Sequence, residues 1–111
     1  MDTTKFKVGW MIVAFDLPVV EDTQRKAAAA FRKFLIDDGF HMMQYSVYAR
    51  PMVTHARMET HLRRLKGNLP PEGSVRAIFV TQSQWERSYV LYGKPIREQP
   101  AEALPDQLQF W

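Results

Sequence analysis

The stretch Trp10 to Pro18, with the sequence WMIVAFDLP, decides the fold of this chain. Six apolar residues run without interruption into a single carboxylate, Asp16, and a proline follows two residues later. A short apolar run that ends at a proline is typical of a β-strand buried on both faces. The sequence therefore predicts a central strand with Asp16 where it ends.

Asp16 has two interpretations. A bare carboxylate is too costly to bury, so Asp16 must be solvated, accept hydrogen bonds or hold a cation. Asp is a common cap and turn residue, and the strand taken alone favours a role in capping the turn or helix that follows. The second hypothesis is that Asp16 is a divalent-metal ligand in a small domain that handles nucleic acid.

Composition limits the class of protein. A chain of 111 residues is most simply one domain, and 46% hydrophobic content is enough to build a core. The absence of cysteine excludes disulfides and thiolate zinc sites and fits a reducing, cytoplasmic setting. The N-terminal segment matches neither a signal peptide nor a membrane span, so we expect no membrane association.

The charge is unevenly distributed. The formal net charge is +3, and nine of the fifteen Lys and Arg residues lie between residues 22 and 66. The segment from 95 to 111 is acidic by comparison. A basic body with an acidic tail suits a polyanionic partner.

Two helices are predicted from caps and apolar spacing. Asp22 or Thr23 can cap a helix that runs to about Asp38 and stops at Gly39. Thr54 can cap a second helix over residues 55–66 that Gly67 closes. Their inward faces are formed by Ala27, Phe31, Phe34 and Leu35 in the first helix and by Met58, Leu62 and Leu65 in the second. His55 and His61 are interpreted as surface residues.

Further strands are predicted from alternation of side chains. Residues 40–50 form the second extended stretch, which Pro51 ends, and residues 74–81 form a third strand. Residues 84–92 are expected to form a fourth, more polar strand. Residues 40–53 contain no hairpin signal, so they either bend into two short strands or form one long strand.

The basic residues of both helices are candidates for binding phosphate. For any single one a solvated helix face is the simpler interpretation, and cations near a helix C-terminus also favour the helix dipole. Arg25 is different because a cation in the first turn gains nothing from the dipole, which makes it a candidate to meet a phosphate or to pair with Asp16. The candidate nucleic-acid-binding residues are Arg25, Lys26, Arg32, Lys33, Arg57, Arg63, Arg64 and Lys66.

The order of elements predicts a ferredoxin-like α/β sandwich, an α+β fold with an antiparallel sheet and two helices on one face. The domain is expected to span residues 1–93, with a tail over 94–111 that contacts a partner or adds a strand. The uncovered, weakly polar face should pack on a second copy. The candidate interface residues are Ile12, Ala14, Gln44, Ser46 and Tyr48. The alternative for Gln44 and Ser46 is that they satisfy each other on an ordinary sheet face.

An ordered series of motifs resembles the CRISPR adaptation family known as Cas two. The series is VAFDLP over 13–18, Arg25, FRKFL over 31–35, Gly39-Phe40 and QYSVY over 44–48. The loop KGNLPPEG over 66–73 and the later Thr81-x-x-Gln84 resemble the type II branch. The resemblance covers residues 8 to 93 and excludes the tail.

The resemblance implies a homodimer packed sheet against sheet, with two copies of Asp16 holding Mg²⁺ between them. It implies metal-dependent endonuclease activity on RNA or DNA, and also a role in spacer acquisition as a bridge between two dimers of the integrase subunit. In that role the dimer lies along double-stranded DNA and its Lys and Arg grip phosphates.

Two hypotheses follow. As an enzyme, the protein would use Asp16 as the metal ligand, Arg25 to orient the phosphate and Ser46 as a supporting hydrogen-bond donor. As a scaffold, it would bind duplex DNA and need no chemistry. We favour the scaffold role as the biological function and keep the nuclease as the second hypothesis. A toxin-like, metal-dependent endoribonuclease that needs no integrase is the alternative.

Overall fold

The computed structural model describes residues 9–93. The elements follow in the order β1 (Gly9–Asp16), α1 (Asp22–Asp37), β2 (His41–Gln44), β3 (Val47–Met52), α2 (His55–Lys66), β4 (Ser74–Thr81) and α3 (Gln82–Glu86). The bounds of β1 and β4 and those of α2 confirm the sequence prediction to within about a residue. The tail from residue 94 onwards lies outside the described residues.

The sheet has the order β2-β3-β1-β4, and every neighbouring pair is antiparallel. Each of the two long helices, α1 and α2, connects two strands that have another strand between them, which is the split β-α-β arrangement of a ferredoxin-like sandwich. The predicted fold class is therefore confirmed. None of the helices over residues 9–93 has the length and apolar character needed to cross a bilayer.

The main core lies between the sheet and the two long helices. Alternate residues of β1 point toward the helices, as expected for a period of two. The buried members of this core are Met11, Val13, Phe15, Phe31, Leu35, Phe40, Tyr48, Met52 and Leu65. Met58, Leu62 and Phe34 are partly buried against the same core, in agreement with the predicted inward faces.

The helix ends follow local chemistry. Thr54 caps α2 by accepting a hydrogen bond from the Arg57 amide, as predicted. The α1 cap is Glu21, one residue before the predicted Asp22, because the Gln24 side chain reaches back to accept the Glu21 amide. Gly39 has a positive φ of 92°, and a β-carbon there would meet the Arg50 guanidinium at 1.6 Å.

Residues 40–53 form a hairpin, so the first of the two open alternatives is confirmed. Tyr45 and Ser46 form the turn, and the register shifts between Met42 and Gln44. Within the described residues every non-glycine has a negative φ, so this turn lacks the left-handed residues that usually mark a two-residue hairpin. That is why the sequence carried no turn signal. Pro51 lies inside β3, because β2 begins opposite Ala49 and leaves that side of the strand unpaired.

The predicted fourth strand over residues 84–92 is wrong. The chain instead forms the short helix α3, where Thr81 accepts the Gln84 amide and the Gln84 side chain accepts the Thr81 amide. This reciprocal cap turns Trp85 back onto the sheet, where it stacks on Trp10 at 4.1 Å between ring centroids. Trp10, Ala49 and Trp85 form a second core with Ile12, Met43 and Val80, which covers part of the face opposite the long helices.

His61 is buried, so its interpretation as a surface residue is wrong, whereas His55 is exposed. The Nδ1 atom of His61 lies 2.7 Å from Oδ2 of Asp38, whose side chain is only 7% exposed. The other oxygen of Asp38 accepts a hydrogen bond from Arg64, and its backbone carbonyl accepts one from Arg50. Asp38 therefore ties the end of α1 to both α2 and β3.

Candidate metal and nucleic-acid site

One end of the sheet gathers the candidate site residues. β1 ends there at Asp16, β4 begins there at Ser74, and these two residues are opposite each other in the register. The β2–β3 turn over 45–46 lies at the same end, because the Phe15 amide donates to the Ser46 carbonyl at 3.0 Å. The loops 17–21 and 67–73 complete this region, which we call the Asp16 end.

The Asp16 side chain is free of protein partners within residues 9–93. The residue is exposed, and no hydrogen bond or ion pair joins its carboxylate to any residue in that range. Gln24 supplies the acceptor at the start of α1, binding the amides of Val20 and Glu21 at 3.0 Å. Asp16 therefore does not cap α1, and the capping interpretation is wrong for that helix.

The loop before β4 packs directly against the strand end that carries Asp16. Gly73 has a φ of 97°, and a β-carbon there would lie 2.6 Å from the Asp16 carbonyl oxygen. Only glycine permits both this conformation and this approach. Gln24 donates to Glu72 at 3.0 Å and fixes the loop to α1. The backbone beneath Asp16 is thus held from both sides.

Arg25 does not meet Asp16. Its guanidinium donates to the Val19 and Val20 carbonyls and forms an ion pair with Asp22. The predicted pairing with Asp16 is therefore wrong. The reason is that α1 begins with its own acid and with two unpaired loop carbonyls, which lie closer to the guanidinium along the chain.

Arg32 is held beside the Asp16 end by aromatic rings. Its guanidinium carbon lies 4.0 Å from the centroid of the Tyr45 ring and 5.5 Å from that of Phe15. Its Nε donates to the Tyr45 carbonyl at 3.4 Å. No carboxylate within residues 9–93 pairs with it. Arg32 is thus an oriented cation without a counter-ion in the described part of the chain.

The other basic candidates fall into two groups. Lys33 pairs with Asp37, which raises the Lys33 pKa, and Arg64 pairs with Asp38. The second group is exposed and has no carboxylate partner in the described range; its members are Lys26, Arg57, Arg63 and Lys66. The topology places Arg63 and Lys66, in the last turn of α2, at the Asp16 end.

The predicted interface residues do not share one face. Ile12 and Ala14 are half-buried on the face opposite the long helices, and Gln44 and Ser46 lie at the bulge and the turn. Tyr48 instead is 1% exposed in the main core, opposite Val13. Burial raises the Tyr48 pKa, and the charge of Arg32 acts in the opposite direction. Met42 and Tyr48 do share a face, as the alternation predicts, but that face points to the main core. The polar residues Gln44 and Ser46 made it look like the outer face, although they lie at the bulge and the turn.

The donor set suits an open Mg²⁺ site better than a closed one. No group of three or more His, Cys, Asp or Glu residues in the described part of the chain could enclose a metal ion. Mg²⁺ keeps several waters and is commonly held by one or two carboxylates together with substrate phosphate oxygens. The exposed Asp16 supplies one such carboxylate.

The fold and this exposed strand-end acid define a small α+β domain of the ferredoxin-like class. The family described as CRISPR associated protein Cas2 matches residues 9–88, and the chain belongs to that family.

Known relatives agree with the assignment. The chain is 40% identical over 108 residues to a protein of Paracidovorax avenae named CRISPR-associated endoribonuclease Cas2, with 97% of this chain and 98% of the relative covered. It is 43% identical over 102 residues to a protein of the same name from Parvibaculum lavamentivorans, covering 92% and 99%. The fold resembles the crystal structure of Streptococcus pyogenes Cas2 with a TM-score of 0.57 and 21% identity, covering 75% of this chain and 99% of that one.

Proposed function

We propose that this chain is a magnesium-dependent endoribonuclease that acts as a homodimer, with Asp16 as the metal ligand contributed by each copy. The observation that carries the proposal is the exposed Asp16 carboxylate, which ends a rigid central strand and is used by no residue in 9–93. Support comes from the relatives, which are named endoribonucleases and are 40% or more identical in the two cases given above.

The dimer is proposed to form through the face opposite the long helices. Ile12 and Ala14 are half-buried there, and Ile78 is 39% exposed despite being apolar. An apolar sheet face of this kind is stabilised when a second copy covers it. A two-fold axis near the Asp16 end of β1 would bring the two carboxylates together.

The residues have separate tasks in the proposed reaction. A bound Mg²⁺ supplies charge stabilisation at the phosphodiester and eases deprotonation of the attacking water. Asp16 would hold the ion in a fixed position, because its backbone is paired with Ser74 of β4 and contacts the loop at Gly73. The Ser46 hydroxyl is carried on the adjacent turn and is proposed as a supporting donor. Arg25 reaches a phosphate only by releasing Asp22 and two carbonyls, so Arg32 is better placed for that contact.

Metal removal is the test of this proposal. We expect wild-type protein to cleave single-stranded RNA, to lose the activity in EDTA and to regain it when Mg²⁺ is added in excess, because the carboxylates alone provide no water activation. Cleavage is measured from the lengths and amounts of the RNA products on a sequencing gel. Undiminished cleavage in EDTA would contradict the proposal.

A second candidate function is supported by the exposed cations. Lys26, Arg57, Arg63 and Lys66 have no carboxylate partner within the described residues, so their charge is available to an external polyanion. Such residues fit the scaffold role, in which the dimer binds double-stranded DNA during spacer acquisition and spaces two integrase dimers. This role needs phosphate contacts and no chemistry.

The salt dependence of duplex binding tests the scaffold role. We expect Arg63→Ala to weaken binding equally for all sequences and to reduce the slope of log affinity against log salt by about one unit, since one phosphate contact is lost. Arg87→Ala is the matched control, because Arg87 is exposed and follows α3, beyond the opposite end of β4. A sequence-dependent loss, or an equal loss in both variants, would count against it. A toxin-like ribonuclease would show no such binding and no association with an integrase.

A further inference from the structure

We propose that Tyr45 and Arg32 form a nucleotide-binding subsite beside Asp16, in which an unpaired base stacks on Tyr45 and its phosphate binds the Arg32 guanidinium. The ligand class is a single-stranded polynucleotide. The inference rests on the proposed function only in taking the Asp16 end as the place where nucleic acid binds.

Tyr45 is presented to solvent on a fixed turn. Its side chain is 64% exposed, although it is large and aromatic. The turn that carries it is anchored at both sides: the Ser46 carbonyl accepts the Phe15 amide at 3.0 Å, and the Tyr45 carbonyl accepts Nε of Arg32 at 3.4 Å. The Tyr45 ring is therefore held in place by the hydrogen bonds of its turn and by its contact with the Arg32 guanidinium.

The guanidinium occupies one side of that ring. Its carbon lies 4.0 Å from the Tyr45 centroid, within the range of a cation–π contact. A planar cation on one face leaves the other face available to a base, and stacking of bases on exposed aromatic rings is a common mode of single-strand recognition.

Arg32 is suited to bind a phosphate at the same time. Only its Nε is used in hydrogen bonding to residues 9–93, so the terminal nitrogens have no protein acceptor in that range. Arg25 and Arg64 differ, because their guanidinium groups bind Asp22 and Asp38. A guanidinium that is both oriented and lacking a counter-ion within the described residues is prepared for the fork-like contact with a phosphate.

The subsite also lies at the end of the sheet that carries the proposed ligand of the metal. Phe15, the second ring beneath Arg32 at 5.5 Å, directly precedes Asp16 in β1. The side chains of these two residues point to opposite faces of the strand, so the subsite and Asp16 share one end of the sheet and a strand bound at Tyr45 would have to pass around that end to reach Asp16. A fully paired duplex cannot offer a base face at this point, so the geometry favours an unpaired strand.

A fluorescence titration tests the subsite without relying on cleavage. The probe is a short uridine-rich RNA that carries one 2-aminopurine, an adenine analogue whose emission falls when it stacks on an aromatic ring. Titrations are made in EDTA, so that the strand stays intact. We expect wild-type protein to quench the probe, and Tyr45→Leu to bind it about tenfold more weakly with little quenching. Tyr45→Phe should retain both properties.

The controls separate stacking from charge and from folding. Tyr89→Leu removes another exposed tyrosine, 77% exposed and located after α3, and should behave as wild type. Arg32→Lys keeps the charge but not the planar fork, so we expect weaker binding with a reduced quench. A melting curve of each variant checks that it is folded. Because Tyr45 is exposed, we expect Tyr45→Leu to melt at the wild-type temperature.

The outcomes are distinct from those of the nuclease test. Quenching by wild-type protein with loss in Tyr45→Leu supports the subsite even if Asp16 proves to have no catalytic role. A DNA probe of the same sequence shows whether the 2′-hydroxyl contributes. Equal binding and quenching by wild-type protein and Tyr45→Leu would overturn the proposed subsite. So would binding of the probe only after it has been annealed to its complementary strand.

Discussion

Replacing Asp16 with alanine is expected to abolish RNA cleavage, with a loss of about a hundredfold or more. Binding of the metal supplies several kcal/mol of charge stabilisation in sites of this type, and each 1.36 kcal/mol or so corresponds to a factor of ten in rate. Because Asp16 is exposed and has no partner within residues 9–93, its removal should leave the fold intact. Initial cleavage rates at saturating Mg²⁺ measure the effect.

Two variants sharpen that experiment. Asp16→Asn preserves shape and removes the charge, so it should lose nearly as much activity as the alanine variant. Glu59→Ala is a matched control that removes another exposed carboxylate, which lies in the middle of α2 and takes no part in the proposed site. Should Asp16→Ala keep its wild-type rate, the assignment of the metal ligand would be wrong. If integration of new spacers persists in the inactive variant, the cleavage activity is dispensable for the scaffold role.

A large stability effect is expected at Asp38. Its carboxylate joins buried His61 at 2.7 Å to Arg64 at 2.7 Å, and its own side chain is only 7% exposed. Asp38→Ala leaves Nδ1 of His61 without its acceptor and breaks the link between α1 and α2. Leaving a buried donor without its acceptor costs about 2 kcal/mol. The unfolding midpoint should therefore fall by about 8 °C or more, measured by circular dichroism.

The neighbouring residue provides the control for this effect. Asp37 bonds Lys33 on the exposed side of α1, where both side chains are mostly in solvent. Asp37→Ala should therefore leave the unfolding midpoint nearly unchanged, because exposed ion pairs contribute little. Equal midpoints for wild type and Asp38→Ala would show that the buried tie is not a principal support of the fold.

The sequence predicts the elements whose signals are local. The apolar run of β1, the caps Thr54 and Gly39 and the helical spacing of Phe31 and Leu35 are each decided within a few residues, and the structure confirms them. α3 also had a local signal, since Thr81 and Gln84 have the spacing of a capping box. A helix of five residues is too short to show a period, so the alternation around it suggested a strand.

The errors concern contacts between distant parts of the chain. His61 shares the inward spacing of Met58 and Leu65, which was a usable signal for burial. Its partner Asp38 is 23 residues away, however, so the buried pair had no sequence signature. The stacking of Arg32 on Tyr45 is of the same kind, because it depends on a two-residue hairpin turn that contains no Gly, Asn or Asp.

Asp16 was singled out from the sequence because a carboxylate that ends an apolar strand must be solvated, accept hydrogen bonds or hold a cation, and its role as a metal ligand stays a prediction. Its environment could not be predicted, since it depends on Gly73 bringing the loop before β4 to within contact of the Asp16 backbone. The role of Ser46 and the approach of two Asp16 carboxylates remain predictions.

A purified heterodimer tests the shared site most directly. One wild-type chain and one Asp16→Ala chain, each with a different affinity tag, can be co-expressed and isolated by two successive purifications. If the two carboxylates hold one metal ion together, the heterodimer should cleave RNA no faster than the Asp16→Ala homodimer. A heterodimer with about half of the wild-type rate would show that each chain acts alone, and would contradict the account.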